Sequence, residues 1–224
     1  TIVSNNVGDG AVYMLGSASN TVTGSYLQNL VGYGAYLDTG SNYNTISQST
    51  MVAASASYMA LYLGGSVGNT VTGSYIANQS GYGAGLDTGS DYNTISQSTM
   101  LAAGAGNSAL WLSLADSNTI TASYMQNLTG NAVMLDTGAD YNTISMSTMV
   151  SNDASDEALF LSNADGNSVT GSYMLNSAGI GANVVSGSDF NIISQSSIVS
   201  NGAASVGLYL FTADSNTVAD SYIA

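Results

Sequence analysis

The chain has 224 residues, of which 45% are apolar and only 6% charged, and with no Lys, Arg or His its net charge is −14. All 14 charged residues are carboxylates, Glu157 being the lone glutamate. Nothing in such a chain can neutralise phosphates, which excludes nucleic-acid partners and insertion into an anionic membrane. The lack of Cys excludes disulfides and thiolate metal sites, and no apolar run approaches the ~18 residues of a membrane span.

In chain order the pattern is one short strand after another. "TIVS" at the start, "GAVYML" at 10–15 and "NTVTGSYL" from Asn20 each alternate apolar and polar residues, and "GAYLDTGSNYNTISQSTM" over 34–51 repeats the cycle. From there the text recurs every 49 residues: Asn20, Asn69, Asn118, Asn167 and Asn216 open one set of copies, and Asn44, Asn93, Asn142 and Asn191 open the other. The two sets interleave at 24 and 25 residues, so the unit is half the apparent repeat. Two residues after each Asn the column is Val or Ile throughout, and five after it is always Ser. Seven after it stand Leu27, Met51, Ile76, Met100, Met125, Met149, Met174, Ile198 and Ile223. A third strand, "ALYL", "ALWL", "AVML" or "ALFL", precedes most anchors.

Three short strands in one unit cannot bury an apolar face alone. Stacking the units buries the inward columns as one continuous core, with parallel pairing between equivalent strands. The predicted fold is therefore an all-β solenoid of about nine turns, running through residues 1–224 as one domain or segment. Gly and Asn at the corners are expected to supply left-handed backbone, Asn to form a ladder along the axis, and the Ser column a chain of hydroxyls. The string quoted above resembles the parallel β-helix repeats of the pectin-lyase-like superfamily, especially its carbohydrate-binding and sugar-hydrolase type. The resemblance covers essentially the whole chain and implies a right-handed helix with three sheets. It departs from the family where the Ser column replaces a second Asn. For function it implies a range that includes lyases, hydrolases, tailspikes and surface adhesins.

The candidate carboxylates recur with the repeat. Asp38, Asp87 and Asp136 sit in "LDTG", and Asp91, Asp140 and Asp189 stand four residues beyond that position. Members of one set lie two rungs apart, ~9.6 Å at ~4.8 Å per rung. A catalytic site is an exception to a repeat, and elimination chemistry of the resembled kind needs a cationic base that this chain lacks. No enzyme is expected, and no cofactor or metal beyond weak Ca²⁺ candidates at Asp87 with Asp91 and Asp136 with Asp140.

Two aromatic columns face outward by alternation. Tyr13, Tyr62, Trp111, Phe160 and Tyr209 are the candidate binding residues, and Tyr26, Tyr75, Tyr124, Tyr173 and Tyr222 form a second row suited to sugar rings or a neighbouring filament. Thr21 and Thr23 with their copies form a two-rank hydroxyl grid like the face of an ice-binding solenoid. The end strands, Thr1, Ile2 and Val3 with Tyr222, Ile223 and Ala224, read as ordinary uncapped repeat and are candidates for end-to-end stacking. These features give the expectation of a non-enzymatic extracellular structural protein that builds a filament, stalk or surface layer through self-association. A carbohydrate-binding adhesin module is the second reading and an ice-binding protein the third.

Overall fold

A computed structural model describes residues 1–203 and 205–224, and every regular element among them is a β-strand. Each turn of the chain lays down three strands, as in Thr21–Thr23, Tyr26–Asn29 and Tyr33–Asp38. These belong to three separate sheets that run the length of the molecule. Sheet A has ten strands, from Ile2–Ser4 to Tyr222–Ile223. Sheet B has nine, from Gly10–Leu15 to Leu208–Phe211, and sheet C nine, from Thr21–Thr23 to Thr217–Ala219. Every pairing is parallel and joins a strand to its equivalent one turn on, so that Ile46 faces Val71, Val71 faces Ile95, and Ile95 faces Ile120.

The core is the sum of the inward columns. Met51, Ile76, Met100 and Met125 from sheet A, Ile46 and Ile120 from sheet C, and Leu63, Leu86 and Leu112 from sheet B are all fully buried. Unbranched Met suits the sheet A column because it fills whatever gap the two facing sheets leave.

Two polar columns are buried beside this core. Each anchor Asn after the first accepts the amide of the Asn one rung earlier on its Oδ1: Asn20 N to Asn44 at 2.8 Å, Asn44 N to Asn69 at 2.8 Å, Asn69 N to Asn93 at 2.7 Å. The Nδ2 groups alternate from Asn20 to Asn142; beyond that Asn167 Nδ2 is buried without a partner and Asn216 Nδ2 donates to the carbonyl of Ser188. Those of Asn69 and Asn118 donate to the next Asn at 3.1 Å, whereas those of Asn93 and Asn142 donate to the carbonyls of Ser66 and Ala115. The period of 49 therefore has a structural meaning, because successive rungs solve the same hydrogen-bonding problem in two ways. The Ser column does not form the expected hydroxyl chain. Ser49 Oγ donates to the carbonyl of Ser47 (2.8 Å) and accepts the amide of Ser25 (3.1 Å), a pattern repeated along the column. Backbone groups offer fixed partners on both sides, which a hydroxyl-to-hydroxyl chain does not.

Left-handed backbone is also distributed otherwise than expected. At the bend from sheet C to sheet A every rung has positive φ, but Gln48, Gln97, Met146 and Gln195 share that column with Gly24, Gly73 and Gly171. The amides of Gly24 and Gln48 bond to the carbonyls of Ser47 and Thr72, so rung-to-rung hydrogen bonding holds the conformation whichever residue occupies it.

Removing inward bulk from the middle of this stack leaves a cavity that neighbouring rungs cannot close. Ile120→Ala is expected to cost about 2–5 kcal/mol, and the outward Thr119→Ala about 0.5 kcal/mol or less, both read from urea denaturation midpoints.

Candidate functional site

The outer face of sheet B is where chemistry-bearing side chains gather. Its central outward column runs Tyr13, Tyr36, Tyr62, Gly85, Trp111, Met134, Phe160, Asn183 and Tyr209. The predicted aromatics Tyr13, Tyr62, Trp111, Phe160 and Tyr209 all belong to it; the residues between them escaped sequence reasoning. Sheet B strands alternate at 23 and 26 residues, because the loop leading into them changes length from rung to rung, while the Asn anchors alternate at 24 and 25. Aligning on Asn thus hides the column. A second buried Asn set holds those loops: Asn29 Nδ2 donates to the carbonyls of Asn6 (2.9 Å) and Asp9 (2.7 Å), and Asn78 to those of Ser55 and Tyr58.

At the N-terminal end of this face the aromatics pack into one cluster. Tyr33 lies 4.7 Å from Tyr36, 5.4 Å from Tyr62 and 5.1 Å from Tyr58 between ring centres, and Tyr13 lies 4.9 Å from Tyr36. Tyr82 and Trp111 continue it at 5.6 Å. Gly85 falls between, and a Cβ there would collide with Met59 Sδ, so the thioether fills the gap in the platform.

Asp38, Asp87 and Asp136 end sheet B strands two residues beyond this column and face the same way. Asp38 and Asp87 are not free turn carboxylates. Tyr13 Oη donates to Asp38 Oδ2 (3.0 Å) and Tyr62 Oη to Asp87 Oδ2 (2.9 Å), so each tyrosine reaches across to the carboxylate one rung on. Burial opposes ionisation of Asp38, yet bonds from Thr39 N–H, Tyr13 and the Thr39 hydroxyl outweigh it and hold the carboxyl below the usual range. The tyrosines respond oppositely: burial, then the bond to Asp87, pushes Tyr62 well above the ordinary phenol value, and burial beside Asp38 does the same to Tyr36.

Further along, the face becomes polar around Glu157. This carboxyl is only 8% exposed, and Asn183 Nδ2 donates to its Oε1 at 2.9 Å. Its backbone amide bonds to Asn131 Oδ1 (2.8 Å), and Asn131 Nδ2 donates to Asp156 Oδ1 (3.1 Å), so one side-chain amide joins the Asp156 carboxylate to the backbone of Glu157. Burial pushes Glu157 up to about 7, against the bond from Asn183 and with help from Asp156 and Asp153. Asp156 is also raised, first by burial. Three side-chain atoms on this face, Ser108 Oγ, Asp136 Oδ1 and Asn183 Oδ1, are buried without a hydrogen-bond partner. The half-exposed rings and carboxylates around them suit a ligand that carries many hydroxyls. The sequence signal for Glu157 was its uniqueness: it is the only glutamate and has no copy 49 residues away in either direction.

Other predicted residues lie apart from this face. Tyr26, Tyr75 and Tyr173 are exposed on sheet A, where a groove of about 310 Å³ is lined by Tyr75, Leu101, Gln126 and Leu128 and by no carboxylate. In sheet C the second rank of hydroxyls pairs within the protein, Ser47 to Thr23 and Ser96 to Thr72 at 3.0 Å. Asp87 and Asp91 engage different partners, the Tyr62 hydroxyl and the Asp116 amide, and among the described residues no three acidic side chains are gathered as if for one ion. Ile2 and Ile223 at the end strands are both exposed.

A family model described as "Right handed beta helix region" matches residues 9–153, and the chain belongs to that family. Solved structures of the same shape include the mannuronan C-5 epimerase AlgE4 A-module of Azotobacter vinelandii (TM-score 0.73, 13% identity, 92% of this chain and 62% of that one). Others are a DFA-IIIase from Arthrobacter chlorophenolicus A6 (0.69, 13%, 91% and 54%) and the pectate lyase Pel9A (0.62, 14%, 97% and 66%). The chain thus spans about half to two thirds of the length of these proteins. No curated protein matches the sequence. These comparisons overturn the expectation of a non-enzymatic structural subunit of a filament, stalk or surface layer, and with it the expectation that no enzyme is present: the solved proteins that share this fold process carbohydrates.

Two measurements check the site as built. Tyr62→Phe, which leaves Asp87 without its phenol donor, is expected to cost about 0.5–1.5 kcal/mol in urea denaturation. For Glu157 the folded value of about 7 stands above the ordinary 4.5, so the protonated carboxyl adds stability that is full below pH 4.5 and lost as pH rises through about 7. The difference in melting temperature between the native chain and Glu157→Gln should therefore change across that window and level off on either side.

Proposed function

We propose that the chain is a carbohydrate-active protein that binds a polysaccharide along the outer face of sheet B and cleaves it with Glu157 as proton donor. The observation that carries this reading is Glu157 itself, a non-repeating carboxyl buried among the outward residues, held by Asn183 and kept largely protonated up to near neutral pH. A general acid needs that protonation state to deliver a proton to a glycosidic oxygen as the bond to the sugar breaks. Asp156, the next residue back, is held by Asn131, which also takes the backbone amide of Glu157; it is the second carboxylate and would take a proton from the attacking water. The ring platform from Tyr13 to Trp111 supports stacking of successive sugars. With no Lys, Arg or His in the chain, no side chain can pair with a uronate carboxylate, so the substrate is a polysaccharide without acidic sugars. An extracellular setting accompanies this reading, and the absence of Lys and Arg leaves trypsin-like proteases no cleavage site.

The test is release of reducing ends from a panel of neutral and amino-sugar polysaccharides. Turnover is expected with an alkaline limit near pH 7, and Glu157→Gln should lower it by about 10²–10⁴ while the fold is retained by circular dichroism. Undiminished turnover in Glu157→Gln, or none on any member of the panel, would overturn the proposal.

A further inference from the structure

The turn from sheet B into sheet C carries two columns that the sheet B site does not use. In the first, Tyr43, Tyr92, Tyr141 and Phe190 occupy every second rung, and each is about two-thirds exposed, at 66%, 67%, 67% and 65%. All four adopt left-handed backbone, with φ of 57°, 56°, 55° and 57°, where the intervening rungs have Gly68, Ser117 and Gly166. Tyr43 lies against the backbone of Gly68, and Tyr141 against that of Gly166, so closely that a Cβ would meet the ring at 2.7 Å. The rings thus rest on the following rung and stay open to solvent. Exposed aromatics at a conformation that favours Gly are a costly choice for a mere turn.

The second column is the residue before each of these. Asp91, Asp116, Asp140, Asp165, Asp189 and Asp214 stand on six consecutive rungs, one carboxylate every ~4.8 Å. One oxygen of each of the first five is fixed by the amide of the next: Asp116 N to Asp91 Oδ1 at 2.8 Å, Asp140 N to Asp116 at 2.9 Å, Asp165 N to Asp140 at 2.7 Å, and on to Asp214. The second oxygen takes no part in those bonds. Asp140 sits above the usual carboxylate range through burial, opposed by the Asp165 amide and reinforced by the charges of Asp116 and Asp165. No cation of the chain relieves this row.

We propose that these two columns form a second binding surface, and that its ligand is a cationic polysaccharide of equatorially 1,4-linked 2-amino sugars. An extended chain of that linkage advances per sugar by about the rung spacing and presents the same face at every second sugar. The aromatic rings, ~9.6 Å apart at two rungs, match the sugars that share a face, and the row of carboxylates matches the ammonium groups. The charge separates this ligand from its competitors: an acidic polysaccharide is repelled by the row, and a neutral one leaves it unpaired.

The experiment uses Glu157→Gln protein, so that binding is measured without cleavage, and titrates a hexamer of 1,4-linked glucosamine, its N-acetylated form and a neutral glucan hexamer by calorimetry. The glucosamine hexamer is expected to bind, about tenfold or more tighter than either neutral hexamer, and to weaken as salt rises past the range where ~8–10 Å screening sets in. Tyr92→Gly with Tyr141→Gly, substitutions that relieve rather than strain the backbone, should weaken it by a further tenfold or so with the melting temperature maintained. In the background carrying native Glu157, the same pair should leave turnover unchanged. Equal binding of the neutral hexamers, indifference to the double substitution, or no binding of the glucosamine hexamer would each overturn the proposal.

Discussion

Rung-on-rung hydrogen bonding in parallel register is the constraint on which everything else depends. A unit of 24 or 25 residues encloses too little apolar surface to stand alone, so each strand relies on its copy one turn away for backbone partners and for a neighbour in the core. Register leaves little freedom, because a slip by one residue would turn Ile95 or Met100 outward and bring Thr94 or Thr99 in. The buried Asn and Ser columns guard the same register. An amide or hydroxyl displaced by one residue would lose backbone partners that no water can replace in the interior.

The same repetition that builds the core generates the surfaces. Whatever points outward on one rung is aligned with its equivalent on the next, so rings and carboxylates become rows without any further design. Rows are suited to polymers, whose own repeat can run parallel to the axis. Chemistry needs the opposite, a place where the row is broken. On sheet B the break comes at Asn183, which interrupts the aromatic column between Phe160 and Tyr209, and there the Glu157 carboxyl is buried against a side-chain amide in place of a phenol.

The architecture was largely legible in the sequence, since Asn anchors, Val and Ile columns and Ser columns mark the phase of sheets A and C directly. Sheet B was less so. Its strands keep their own alternation because the loops before them differ in length, and Tyr36, Asn183 and the alignment of Asp38 with Tyr13 emerge only when strands are paired in space. The six-rung Asp column stands two residues before every anchor from Asn93 to Asn216, in the words "DYN", "DSN", "DGN" and "DFN", and is lost only on the first rungs, where Asn42 and Val67 take its place. Glu157 was visible but discounted, because reading by columns rewards recurrence and a lone residue has no column.

The two-way solution in the Asn ladder has a bearing on how such a molecule can change over generations. Odd and even coils are not interchangeable, since the amide of Asn69 turns toward its neighbour whereas that of Asn93 turns back to Ser66. Loss of the coil that carries Gly68 would bring Tyr92 onto Tyr43, at the place where a Cβ meets the Tyr43 ring at 2.7 Å. Loss or duplication of a pair would not. A change by two coils keeps the alternation of ring and small residue, and with it the spacing of the outer aromatics.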